Sequence, residues 1–162
     1  MITIRKIEKR DIESCLNIYN YYILNTTVSF EEEAVSLKNF KKRVKNILKK
    51  FPFIVACEGE KVLGYAYLDT FHIRCAYRFT ADLSIYLDKD FTGRGIGGML
   101  LEEIEKQGKE IGMKNIISLI VADNEPSLKF HEKHGYYECG TMQDVGFKFN
   151  KWHSIKYYQK RI

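Results

Sequence analysis

No apolar run in this chain approaches the roughly 18 residues that a membrane-spanning helix requires. The opening residues, MITIRKIEKRD, alternate charge with single aliphatic side chains and lack the apolar stretch of a secretory leader. A membrane span and an exported protein are therefore both disfavoured, and a cytoplasmic protein is expected. The four cysteines, Cys15, Cys57, Cys75 and Cys139, form neither a C-x-x-C pair nor a ligand spacing. They read as ordinary reduced thiols, and no metal is expected. Low-complexity tracts, internal repeats and linkers are also missing. With 45% hydrophobic and 29% charged residues, the composition is globular. The 162 residues are read as one domain, 1–162, able to bury a core without staples.

What charge there is has a location. The net charge is +5, and the segment SLKNFKKRVKNILKKF (36–51) alone carries seven Lys and Arg. Leu37, Phe40, Val44, Ile47, Leu48 and Phe51 recur at helical spacing, so the basic residues read as the solvated face of an amphipathic helix. No aromatic-and-basic RNA motif or zinc finger accompanies them, and no nucleic-acid partner is expected. A basic surface would still draw in a small anionic molecule such as a phosphate ester.

Periodicity predicts the order β α α β β β α β α β β, an α/β protein with a mixed sheet. A short strand over 2–5 precedes a helix over about 9–24 and a loop, NTTVSFEEEAV, before the basic helix. FPFIVACEGEKVLGYAYLDTF reads as a hairpin turning at Glu58–Lys61, and YRFTADLSIYL as a strand ending near Leu87. A helix should end at Gly112, suited to a left-handed cap. NIISLIVA is a buried strand, Asn124 caps a short helix with Pro126 in its first turn, and two strands close the chain.

Between strand and helix, TGRGIGG places four glycines in the six positions 93–98. Gly93, Gly95 and Gly98 satisfy G-x-G-x-x-G, the dinucleotide fingerprint, but DKDFT separates them from the strand and no acidic strand end follows about 20 residues later. A flexible connector seldom leads directly into an amphipathic helix. A helix N-terminus with unpaired amides and glycines that admit a phosphate remains, and the segment is read as a pyrophosphate cradle.

TGRGIGGMLL after LSIYLDKDF resembles the acyl-CoA motif of the GNAT N-acetyltransferases, Gln/Arg-x-x-Gly-x-Gly/Ala, with Thr92 departing from the usual Gln or Arg. ADNEPSLKFHEKHGY is similar to that family's second CoA segment. VGFKFNKWHSIKYYQ, NTTVSFEEE and FHIRCAYRFTADLSIYL look like the phosphinothricin acetyltransferase branch. The resemblance covers nearly the whole chain. It implies a GNAT-type fold: a mixed, mostly antiparallel sheet with one splayed parallel strand pair, flanked by helices. It also implies acetyl-CoA as cosubstrate and a homodimer.

Carried over residue by residue, the resemblance places the pantetheine arm along Ile85, Tyr86 and Leu87. The diphosphate falls over Gly93, Arg94, Gly95, Ile96, Gly97 and Gly98, and a further contact on Asn124. Asp82 becomes the general base, where the branch usually has Glu; aspartate is depleted in strands, which itself asks for an explanation. His131 becomes the acid near the sulfur, and the Leu87 amide the donor that polarises the carbonyl. HEKH does not have the spacing of H-E-x-x-H zinc enzymes. Arg74, Tyr77 and Arg78 are candidates to hold a substrate carboxylate, with Phe30 closing over an aliphatic side chain. The implied acceptor is a small amino-acid analogue such as phosphinothricin, methionine sulfoximine or methionine sulfone. Polyamines or protein N-termini are the alternative, kept open by the acidic run Glu31–Glu33. A dinucleotide oxidoreductase or a non-catalytic CoA-binding module stands behind these.

Overall fold

The computed structural model describes all 162 residues. Its strands are β1 (Ile2–Lys6), β2 (Phe53–Glu58), β3 (Lys61–Thr70), β4 (Thr80–Leu87), β5 (Asn115–Val121), β6 (Tyr137–Lys148) and β7 (Lys151–Arg161). The helices are α1 (Ile12–Asn25), α2 (Leu37–Ile47), α3 (Ile96–Glu110) and α4 (Glu125–Lys133). Order and type follow the periodicity; the ends differ where side chains intervene. The first helix does not start at Lys9, because Lys9–Asp11 make a single 3-10 turn. There the Asp11 carboxylate accepts from the Glu8 amide at 2.7 Å and from both terminal guanidinium nitrogens of Arg5. The basic helix stops at Ile47, short of Phe51. It opens at Ser36, whose hydroxyl accepts the Asn39 amide at 3.2 Å, and it buries Phe40, Val44 and Ile47.

The strands form one sheet in the order β1-β2-β3-β4-β5-β7-β6. Every pairing is antiparallel except β4 with β5. That exception follows from the connection: α3 crosses from the end of β4 back to the start of β5, as a parallel pair demands. Alternating side chains divide the sheet between two cores. Ala81, Leu83, Leu68 and Ile116 pack under α3 with Leu100, Leu101 and Ile104. Phe53, Val55 and Tyr65 pack on the other face with Ile23, Phe40 and Val44 of α1 and α2.

The parallel pair is short. It holds only from Thr80 opposite Asn115 to Asp82 opposite Ile117. Beyond that rung β4 stays paired with β3 as far as Leu87 opposite Gly64, and β5 stays paired with β7 as far as Val121 opposite Ile155. The two strands part, and the sheet opens at its centre.

Candidate active site

The edges of this opening are set by backbone alternation. The Asp88 amide donates to the Leu63 carbonyl at 2.9 Å. Counting back by twos, Tyr86, Ser84 and Asp82 turn their main-chain groups toward β3, while Leu87, Ile85 and Leu83 turn theirs toward the gap. Of the three residues expected to meet a pantetheine arm, Ile85 and Leu87 thus offer free backbone, and Tyr86 does not. Tyr86 is engaged otherwise: its ring packs against Tyr19, Tyr22 and Tyr65 beneath α1. The Leu87 carbonyl accepts the Tyr22 hydroxyl at 2.6 Å, leaving its amide as the group on offer.

The opening is a cavity of about 550 Å³ whose lining includes Asp82, Ile85 and Tyr86 of β4, Asn124 and His131, and Phe30 of the α1–α2 connection. Six residues singled out in the sequence therefore meet in one place. A second cavity, of about 470 Å³, lies between α2 and β3 and shares the Tyr19 wall.

Asp82 sits at the last rung before the strands part. Its carboxyl is pushed up to about 7, first by burial and then by the charge of Asp69, with the Leu83 amide pulling the other way. No cation offsets this.

His131 is buried, not a surface histidine. Nδ1 lies 2.7 Å from the Ser127 carbonyl, which can only accept, so Nδ1 carries the proton. Nε2 is then the acceptor of the Ser118 hydroxyl at 2.9 Å. Burial lowers its basicity and favours the neutral imidazole. Asn124 caps α4 through Oδ1, which accepts the Ser127 amide at 3.3 Å, and its side-chain NH2 remains as a donor.

The glycines divide into three jobs. Gly93 and Gly95 have φ of 75° and 77°, the left-handed region that a side chain resists. They turn the chain into α3, whose first internal hydrogen bond runs from the Met99 amide to the Gly95 carbonyl. The amides of Ile96, Gly97 and Gly98 are left at an N-terminus with no side-chain cap and no acidic residue in its first turn, which suits an anion. Gly97 corrects the open-cradle picture. A Cβ there would stand 3.3 Å from the Phe130 ring of α4, so its lack of a side chain serves the packing of α3 against α4. At Gly98 a Cβ would meet His134 Nε2 at 3.2 Å. Arg94 is exposed, 3.4 Å from Glu58.

The α1–α2 side of the cavity holds residues the sequence did not announce. Lys148, buried near the end of β6, donates to the Ile23 and Ser29 carbonyls at 2.6 Å each and ties down the α1–α2 connection. Gly146 makes room for Phe30, whose ring any Cβ at 146 would strike. Glu31 is fully engaged: Arg43 holds both its oxygens at 2.6 and 2.8 Å, and the Tyr19 hydroxyl also donates to it. Arg74, Tyr77 and Arg78, by contrast, sit around a short exposed 3-10 turn and line neither cavity. Arg78 donates to the Cys75 carbonyl at 3.1 Å and covers Phe79. Neither arginine is paired with a carboxylate, whereas Arg43 is.

A sheet parted beyond three parallel residue pairs, with an uncapped helix N-terminus following the parted strand, is the arrangement that the resemblance to acyl-CoA-dependent acetyltransferases implies. Residues 4–155 match the Acetyltransferase (GNAT) domain family. A putative phosphinothricin acetyltransferase of Bacillus subtilis, YwnH, is 32% identical over 156 residues, 96% of each chain. An L-methionine sulfoximine/L-methionine sulfone acetyltransferase of Pseudomonas aeruginosa is 30% identical, over 99% of this chain and 94% of the relative. Among solved structures, a GNAT superfamily phosphinothricin acetyltransferase from Sinorhizobium meliloti in complex with AcCoA superposes with a TM-score of 0.95. It is 32% identical, and the match covers 99% of this chain and 88% of that one. The chain belongs to the GNAT acetyltransferase family, and it is an acetyl-CoA-dependent N-acetyltransferase. The dinucleotide oxidoreductase and the non-catalytic module are set aside. No helix is long and apolar enough to cross a membrane.

Proposed function

We propose that this enzyme acetylates the amine of a small amino-acid-like acceptor of the phosphinothricin or methionine sulfoximine type, with Asp82 as general base. The observation that carries the proposal is Asp82 itself: a carboxyl at the opening of the sheet, free of cations, and held near neutrality. An ammonium group must lose two protons on becoming an amide. Asp82 takes the first, which frees the nitrogen lone pair. Acetyl-CoA, when bound, supplies the acyl carbon for that lone pair, and the C–S bond breaks as the C–N bond forms. The second proton ends on the sulfur, on the face where Ser118 and His131 stand. The Leu87 and Ile85 amides face the gap as donors for the thioester carbonyl. The amides opening α3, with Gly93, Arg94 and Gly95, take the diphosphate, and the Asn124 NH2 takes the pantetheine arm.

The acceptor's carboxylate is assigned to Arg74 and Arg78, with Tyr77 between them in the chain: the Arg74 guanidinium has no partner within the chain, and Arg78, held to the Cys75 carbonyl and over Phe79, has no carboxylate partner. Phe30 covers its side chain. The polyamine alternative weakens, since Glu31 is occupied by Arg43 and Tyr19. A homodimer is supported by the face of β6 and its hairpin, where Met142, Val145, Phe147 and Trp152 are exposed together.

An acceptor panel read by thiol release tests the substrate class: methionine sulfoximine and phosphinothricin should turn over well above spermidine. Preference for spermidine or a peptide N-terminus would end the assignment of the acceptor while leaving the acetyltransferase in place.

A further inference from the structure

Asp82 has a companion that the reaction as described leaves unused. In the β3–β4 ladder, Asp69 is the residue directly opposite Asp82. Tyr65, Tyr67 and Asp69 alternate onto the α1–α2 face of β3, as Asp82, Ser84 and Tyr86 do on β4, so both carboxylates project on the same side. Facing residues on one face of an antiparallel pair bring their Cβ atoms within about 4.5–5.5 Å, where like charges repel. No ion pair relieves either one. Asp69 accepts only the neighbouring Thr70 amide, at 2.7 Å. Asp82 lines the cavity between the strands and Asp69 lines the one between α2 and β3, so the pair bridges the two.

We propose that Asp69 is a positioning residue for proton transfer: its carboxylate, set opposite Asp82, keeps Asp82 a competent acceptor of the ammonium proton. This rests on the assignment of Asp82 as base. The proton passes as R–NH3+ and Asp82–COO− become R–NH2 and Asp82–COOH, with no further reactant. An ordinary aspartate near 4 would take a proton from an amine only against a gap of several pH units. The charge of Asp69 adds to burial in closing that gap. The other titratable groups around Asp82 are placed to do less. From α1 comes Tyr19, and from β3 and β4 come Tyr67 and Tyr86, all neutral because burial raises them. From the α1–α2 connection comes Glu31, neutralised by Arg43 of α2, and from α4 comes neutral His131.

The test is the pH profile of kcat in Asp69→Asn, with Asp69→Glu as the charge-preserving control. It is run beside a direct NMR titration of the 13C-labelled Asp82 carboxyl, which needs only folded protein. In Asp69→Asn both the Asp82 titration and the acid limb of kcat should move down, by roughly one pH unit, and Asp69→Glu should return both. The acetyl-CoA KM should stay unchanged. An Asp82 titration unmoved in Asp69→Asn, or moved without the limb following, overturns the proposal. Asp82→Asn separates this from the parent assignment. Wild-type turnover in Asp82→Asn removes the base and this inference together, whereas a large loss there beside an unmoved limb in Asp69→Asn removes this inference alone.

Discussion

Replacing Asp82 with asparagine should make the protein more stable while disabling it, and the pH dependence of that gain can be worked out. The carboxyl is raised from 3.8 to about 7 in the folded chain. A raised acid folds best in its protonated form. Its favourable contribution is therefore complete below the unfolded value, declines as pH climbs, and is gone above the folded value. At about 1.4 kcal/mol per pH unit, the charged form costs on the order of 4 kcal/mol once pH exceeds about 7. Asparagine has nearly the same shape and never ionises. Asp82→Asn should thus match wild type at pH 4 and exceed it by roughly 2–4 kcal/mol at pH 8, the lower figure allowing for water entering the cavity. Urea unfolding at both pH values measures this. Over the same range kcat/KM should fall by about 10²–10⁴, less at high pH where free amine is abundant. Equal stability of the two proteins at pH 8 would refute the desolvation on which the base assignment depends.

Gly97→Val should cost about 1–3 kcal/mol in a thermal melt, since its branches enter the Phe130 ring, and any rise in acetyl-CoA KM should accompany that loss. Gly95→Ala instead strains a φ of 77° with open space around it, so the KM should rise with a stability loss of only about 1–2 kcal/mol. Lys148→Met removes both donors from the Ile23 and Ser29 carbonyls. It should raise the acceptor KM through a loosened α1–α2 connection while leaving the acetyl-CoA KM alone, as steady-state kinetics would show. Arg74→Ala should raise the acceptor KM by roughly 10-fold if its guanidinium holds the carboxylate, and an unchanged KM would dismiss it.

The legible parts of this protein are those written locally. Helical and strand periods place all eleven elements in order, and Asn124 and Gly112 mark helix ends through a side chain or a φ value close in sequence. The parting of β4 and β5 has no such local signature. NIISLIV reads as an unbroken buried strand, and only the register shows that pairing stops at Ile117. Lys148 could not be found at all. It is one lysine among many, and its acceptors stand 125 and 119 residues away. The glycine segment lies between these cases. Its composition announces a helix start with free amides, but whether a missing Cβ admits a ligand or a phenyl ring depends on Phe130, which belongs to another helix.

Once the strands are parted, the two faces of the sheet carry different electrostatics. Ile116 and Ile120 of β5 point into the core under α3, so Ser118 between them lies on that face, with His131 at its hydroxyl. The uncapped amides of α3 belong to the same side. Asp69 and Asp82 occupy the opposite face, beside Tyr67 and beneath α1 and α2. In the proposed reaction the polyanionic cosubstrate takes one side of the gap and the cationic amine the other, and they meet through the opening between β4 and β5. In that reaction the carboxylate that takes the proton is on the side assigned to the ammonium, and the histidine is on the side assigned to the departing thiolate. Moving Asp82 by one residue along β4 would turn it to the α3 face, toward the anion and away from the amine, so its position in the strand register matters as much as its chemistry.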